Sequence, residues 1–327
     1  MTPPRFGFFF WPYEPALVAR MAGLGESQGW DLVGVADTPV NAMDVWVALA
    51  QAATLTTRVT LASCVTNLAT RDPAITAGAA TALGQLSGGR FVLGIGAGHS
   101  GVVNVGRRPS PPAALRDGLA RVRALLDGGG GAPRPRVPLY AAASGPGALR
   151  AAGATADGAF VNHGLGAAET ARARALLAEG AAQAGRAGDP LDAWFVACLD
   201  VSERRETALE QLGNILGFVA AYVLGPAPAE RGVPPELVAS IVELRRQYTT
   251  RRRDMDPRLV HRLGLFDYLR GRLAVAGTPD DCAEQARAAL AAGARRLMFT
   301  VSLAADPIRT VELFGRHVLP ALRAGRG

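Results

Sequence analysis

The feature that most constrains this chain is an alternation. Short apolar runs of four to eight residues are each followed by a longer helix-forming stretch and a turn marked by glycine or proline. The clearest unit is Leu61–Ser100, LASCVTNLATRDPAITAGAATALGQLSGGRFVLGIGAGHS. Residues 61–65 are apolar and end β-branched, as a buried strand does. Residues 66–72 are polar, and Pro73 then stands in the first turn of a helix, where its missing N–H costs nothing. The alanine-rich helix over 73–86 is stopped by Ser87-Gly88-Gly89-Arg90. Residues 91–95 form a second buried strand. Gly94, Gly96 and Gly98 leave its end bare of side chains, where a ligand can approach the backbone.

The same reading predicts strands over 6–10, 32–36, 61–65, 91–95, 139–143, 158–161, 194–201 and 297–301, with helices between them. After residue 201 the rhythm breaks. Helical stretches are predicted over 203–224, 236–253 and 255–272 before the βα pattern resumes at 278. Regular alternation implies a parallel sheet with helices outside it. Eight units closing on themselves give an α/β fold, the (β/α)8 TIM barrel. It forms one domain over residues 1–327, with a helical insertion at about 203–272 between the seventh and eighth strands. A loop is expected over 102–112 and a flexible surface connection over 128–133. The rival is a doubly wound sheet, supported by Gly96-Ala97-Gly98-His99-Ser100-Gly101, which fits G-x-G-x-x-G. That fingerprint needs a helix starting within the motif. Here Pro109, Pro111 and Pro112 follow, and the motif sits at the fourth strand, so it is read as coincidental.

Composition narrows the class. With 327 residues, 49% of them hydrophobic and 19% charged, the chain can bury a large core. The net charge is +7, yet the chain contains no lysine. Its arginines are scattered rather than striped, so composition bias explains the basicity better than a nucleic-acid partner does. Cys64, Cys198 and Cys282 are far apart and show neither metal nor disulfide spacing. No metal is expected. No run reaches the ~20 apolar residues of a membrane span, and the N-terminal apolar run is too short for a signal segment. A cytoplasmic protein without membrane or nucleic-acid partners is expected.

The stretch VTNLATRDPAITAGAATALGQLSGGRFVLGIGAGHS resembles the bacterial luciferase-like superfamily, above all its branch of deazaflavin (F420)-dependent methylenetetrahydromethanopterin reductases. More weakly, the resemblance runs from about Phe6 to about Gly164. It implies an oxidoreductase that uses coenzyme F420 for hydride transfer to or from a small organic substrate. The alternative within the family is a monooxygenase using reduced FMN and O2. A non-catalytic flavin binder on the same barrel is a third possibility. The resemblance also implies a homodimer or higher homo-oligomer.

In a barrel of this kind the site lies at the C-terminal ends of the strands. That rule nominates Trp11, Asp37, Cys64–Asn67, Gly96–Ser100, Ser144–Gly145, Asn162–Gly164, Asp200 and Thr300–Ser302. The resemblance makes Cys64, Val65, Thr66 and Asn67 a bulge behind the cofactor ring, with a non-prolyl cis peptide at Cys64–Val65. Read from the residues alone, Cys64 is a buried apolar side chain, and Thr66 and Asn67 are turn caps. Gly96 and Gly98 would border the ring. Ser144 and Gly145 open a helix whose free N–H groups suit a phosphate, although a serine there is also an ordinary helix cap. The family binds its cofactor phosphate between the fifth and sixth strands, which adds Asn162, His163 and Gly164. His99 stands near the position of a glutamate acid in related deazaflavin enzymes, and histidine exchanges protons near neutral pH. His99 and Asp37 are therefore the candidate proton carriers, with Asp37 equally readable as a strand-end carboxylate tied to backbone N–H groups. Related sugar-phosphate and alcohol dehydrogenases carry histidine after that aspartate. Thr38 replaces it, which argues against those substrates. Arg245, Arg246 and Arg251–Arg253 are read as a basic helix face in the insertion.

Overall fold

A computed structural model describes residues 3–128, 135–189 and 191–324. Among the described residues ten strands lie in one sheet: β1 (Arg5–Phe10), β2 (Leu32–Val35), β3 (Thr60–Ser63), β4 (Thr66–Asn67), β5 (Phe91–Gly96), β6 (Leu139–Ala143), β7 (Gly158–Val161), β8 (Asp192–Val201), β9 (Ala274–Gly277) and β10 (Arg296–Thr300). The hydrogen-bonded order is β10-β1-β2-β3-β5-β6-β7-β8, and β10 also pairs with β8, so eight strands close on themselves. This is the (β/α)8 barrel expected from the alternation. Between β8 and β9 stand the helices Arg205–Glu210, Leu212–Val223, Val238–Gln247, Leu259–Arg262 and Phe266–Leu273.

The described chain divides into two compact units. The first comprises Gly7–Val161 and Ala171–Trp194. Its helices begin where the sequence signals them. Asp44 caps Val45–Leu55 by accepting from the Trp46 and Val47 N–H groups, and Asp72 caps Pro73–Leu86 through Ala74 N–H. The Leu-Ser-Gly-Gly-Arg motif is architectural. Gly88 (φ 64°) and Gly89 (φ 86°) turn the chain in the left-handed region. Arg90 then donates to the Ala53, Thr56 and Val59 carbonyls, closing the C-terminus of helix Val45–Leu55, where a cation is favoured. Helix Pro15–Ser27 lies directly on the sheet: a Cβ at Gly25 would come within 2.2 Å of Val33.

The second unit comprises Met1–Phe6, Asn162–Thr170 and Phe195–Gly327. Phe299 and Phe314 pack with ring centroids 4.9 Å apart, with Phe6 against Phe314 on its other side. Helix Pro279–Ala291 starts in a capping box between Thr278 and Asp281.

Four expectations need correction. Ala274–Gly277 is a ninth long strand, parallel to the second half of β8, where no strand was expected. Its four apolar residues directly follow a helix, so local pattern could not separate it from that helix. One helical turn, Ser100–Val103, starts inside the glycine motif expected to lead into a loop, and it stops well before the prolines. The stretch 236–253 is helical only as far as Gln247. Arg251 lies outside helix, and Arg252–Asp254 is a separate 3-10 turn, so the arginines do not share a helix face. The helix over 203–224 is interrupted at Gln211. Of the expected connection over 128–133, residues 129–133 lie outside the described residues. Among the described residues no helix is long and apolar enough to cross a membrane.

Candidate functional site

The candidate site of the first unit grows from a break in one strand. Leu61 and Ala62 pair with Phe91 and Val92, and Thr66 and Asn67 pair with Ile95 and Gly96. Three residues, Ser63–Val65, therefore stand opposite two, Leu93 and Gly94. This is a β-bulge at the end of the strand. The Cys64–Val65 peptide bond within it is cis, at the place the resemblance indicated. The side chain of Ser63 covers the gap in the ladder: its hydroxyl donates to Gly94 O (2.9 Å) and accepts from Gly94 N–H (2.9 Å).

The glycines facing the bulge are shaped to it. A Cβ at Gly94 would come within 2.1 Å of Ser63 O, and one at Gly96 within 2.8 Å of Val65. Gly98 (φ 87°) sits in the left-handed region with Val102 against it, and a Cβ at Gly101 would come within 2.4 Å of Asp37 O. The bare backbone at the end of β5 thus receives Val65 and Val102 of the same chain.

Asp37, at the end of β2, is buried, with its side chain 2% exposed. It accepts from Thr66 Oγ1 (2.7 Å), Arg71 Nε (2.9 Å) and Arg71 Nη2 (3.2 Å). Its partners are side chains, not the backbone N–H groups expected for a strand-end carboxylate. Arg71 Nη2 also reaches Asp44 Oδ2 (2.9 Å), and its guanidinium lies 5.9 Å from the Trp46 ring centroid. The bond to Asp37 pushes the Arg71 guanidinium above its ordinary pKa. Burial pushes the Asp44 carboxyl up, but Arg71 and the helix N–H groups outweigh it and hold the carboxyl below its ordinary value. Sequence reasoning missed Arg71. Its only signal was its place in the Thr-Arg-Asp-Pro run, where Asp72-Pro73 reads as helix-start chemistry.

Thr66 has given its hydroxyl to Asp37. Asn67 Oδ1 accepts from Ala69 N–H (3.1 Å), Thr70 N–H (2.9 Å) and Thr70 Oγ1 (2.9 Å), so it is a turn cap. Thr38 Oγ1 donates to Ser100 Oγ (2.9 Å), and Asn104 Nδ2 donates to Pro39 O (3.3 Å). These bonds join the loop after β2 to the turn carrying His99, which is half-buried and precedes helix Ser100–Val103. Burial pushes the Cys64 thiol well above its ordinary range, which suits an inert apolar residue and not a nucleophile. Ser144 is half-buried after β6, and the N-cap of helix Pro146–Thr155 is Gly145, not the serine.

The turn after β7 belongs to the second unit and is built around a residue the sequence did not single out. Arg272 is buried and donates to His163 O through Nε (3.3 Å) and Nη2 (3.1 Å), to Gly232 O (3.0 Å) and to Tyr268 OH (2.6 Å). It also lies against Gly164 (φ 122°), where a Cβ would sit 3.1 Å from Arg272 Cγ. The His163 side chain is buried. Asn162 Nδ2 donates to Tyr222 OH (3.1 Å), while its Oδ1 is buried without a hydrogen-bond partner. Such an acceptor is one a ligand N–H would satisfy.

A family model described as luciferase-like monooxygenase matches residues 12–296. The chain belongs to this luciferase-like family. Among curated relatives it is similar to a 5,10-methylenetetrahydromethanopterin reductase of Methanolobus tindarius, at 28% identity over 96% of this chain and 99% of the relative. It is also similar to an F420-dependent glucose-6-phosphate dehydrogenase of Nakamurella multipartita, at 29% identity over 99% of this chain and 98% of the relative. Among solved structures, the coenzyme F420-dependent tetrahydromethanopterin reductase of Methanopyrus kandleri superposes with a TM-score of 0.78 at 23% identity. It covers 98% of this luciferase-like chain and 100% of that one, and so shares the barrel fold.

Proposed function

We propose that this luciferase-like protein is an F420-dependent oxidoreductase acting on a small organic molecule. The observation that carries the reading is the full-length similarity to F420-dependent glucose-6-phosphate dehydrogenases and to 5,10-methylenetetrahydromethanopterin reductases, one solved structure of the latter kind being named as coenzyme F420 dependent. The residues of the first unit fit such a coenzyme. Helix Pro146–Thr155 has no acidic residue in its first turn and no side-chain cap, which leaves its first N–H groups for a phosphate. When bound, F420 would supply the hydride chemistry. Val65 and Thr66 present the bulge to its ring, Gly96 and Gly98 keep the facing backbone close, and Ser144 and Gly145 orient its phosphate-bearing chain. His99 moves the proton through its imidazole. Asp37 is the weaker carrier, because its two oxygens already hold Arg71 and Thr66. Thr38 is committed to Ser100 and stands where the resembled sugar-phosphate and alcohol dehydrogenases carry histidine, which argues for a different substrate.

The second reading is a monooxygenase using FMN, favoured by a structural neighbour solved with FMN, a Baeyer-Villiger monooxygenase with a TM-score of 0.64. Titrating the protein with F420 and with reduced FMN separates the two. F420 binding without FMN binding is expected, and tight reduced-FMN binding alone would overturn the assignment. His99→Ala is expected to lower turnover by roughly 10²–10⁴ with F420 affinity largely kept; unchanged turnover would remove His99 from the reaction.

Exposed Val47 and Leu55 on helix Val45–Leu55, and Ile75 and Leu86 on helix Pro73–Leu86, support a homodimer. Light scattering should give a mass near twice 34.0 kDa. The cysteines Cys64, Cys198 and Cys282 are buried free thiols, which supports a reducing cytoplasmic setting.

A further inference from the structure

We infer that Arg71 is the positioning residue of the cofactor platform and that Asp37 serves it as an anchor. The inference rests on the reading of the bulge as that platform. The guanidinium joins the segment after β2 to the bulge segment: it bonds Asp37, Asp44 at the start of helix Val45–Leu55 and, through Asp37 Oδ2, Thr66 of the bulge. A planar fork can hold two carboxylates in fixed directions at once, which a point charge such as an ammonium cannot. Thr66 immediately follows Val65, which fills the space at Gly94 and Gly96. Fixing the Thr66 hydroxyl therefore fixes the backbone on which a flat ring would rest. The groups able to carry charge on the surrounding segments are Cys64, Arg71 and Asp72, Asp44, Tyr13 and Glu14 after β1, and His99, Arg107 and Arg108 after β5, with Arg107 donating to Ala69 O. Of these, Arg71 is the one bonded to Asp37. Asp37 therefore keeps a counter-charge only while Arg71 is in place.

The test uses the full-length protein with Arg71→Lys, Arg71→Met and the double variant Asp37→Asn/Arg71→Met. Arg71→Met leaves the buried Asp37 carboxylate without its cation, so the variant should melt well below the wild type. The double variant removes both charges, so it should melt above Arg71→Met while still lacking the fork. In Arg71→Lys and in the double variant, amide exchange over residues 64–70 should quicken at least tenfold, and F420 dissociation constants should rise at least tenfold. Wild-type exchange rates and wild-type affinity in the double variant would overturn the inference. So would an Arg71→Met protein that melts no lower than the double variant. If the wild type binds neither F420 nor FMN, the functional reading falls, and the exchange rates still decide whether Arg71 holds the bulge.

Discussion

At pH 8 the Asp200→Asn variant is expected to be more stable than the wild type, and its stability should be flatter between pH 4 and pH 7. Asp200 lies in β8 with 1% of its surface exposed. Its oxygens meet Ala305 N–H (2.8 Å) and, at 3.4 Å, the Thr310 hydroxyl. Neither is a cation, and Asp306 adds a like charge nearby. Burial pushes the carboxyl up from 3.8 to about 7, against which the two hydrogen bonds work only partly. The folded state therefore holds its proton more tightly than the unfolded chain does. Below pH 4 both states are protonated and nothing is lost. As pH rises through about 7 the folded state must ionise a buried group, and stability falls by up to about 4 kcal/mol. Asparagine is close in shape, keeps an acceptor for Ala305 N–H and never ionises. Calorimetric melts of both proteins from pH 4 to pH 8 measure the difference. Parallel curves for wild type and variant would show that Asp200 does not titrate in this range.

Gly94→Ala is expected to cost at least about 3 kcal/mol, at the upper end of what overpacking a core usually does. The added methyl would meet Ser63 O at 2.1 Å, Phe160 at 2.9 Å and Val65 at 3.0 Å. The first of these atoms is backbone, pinned by the β3 ladder, so no rotamer change relieves it. Relief requires the bulge to move, and cofactor affinity should fall with stability. Gly78→Ala is the control. It lies exposed within helix Pro73–Leu86 with nothing within 4 Å of the added methyl, and the change should stabilise by roughly 0.5–1 kcal/mol. Urea denaturation of the two variants tests both signs. Equal effects would mean that the bulge yields more easily than its packing implies.

The bulge itself was legible in part. Thr66 and Asn67 stand at a strand end, and the turn-capping role of Asn67 follows from its short amide side chain. The glycines of the end of β5 were legible as positions needing no side chain, but what fills them was not. Val65 and Val102 could be found only once the register of the 61–67 segment against β5 was known. The reading of Asp37 as bonded to backbone failed for the same reason, because its partner Arg71 lies 34 residues away. Arg272 is more distant still, 109 residues from His163, whose carbonyl it holds.

Sequence alone determined the alternation of strand and helix, the barrel that follows from it, the helix starts at Pro73 and Thr278, and the strand ends where chemistry could sit. These depend on periodicity and capping, which act over a few neighbouring residues. Tertiary structure alone decided that Asp37 holds both Thr66 and Arg71 while Arg71 also reaches Asp44, that β9 joins the sheet, and that Asp200 is buried with no cation bonded to it among the described residues. Each of these depends on which distant segments the closed sheet brings side by side, and burial and charge pairing exist only after that closure.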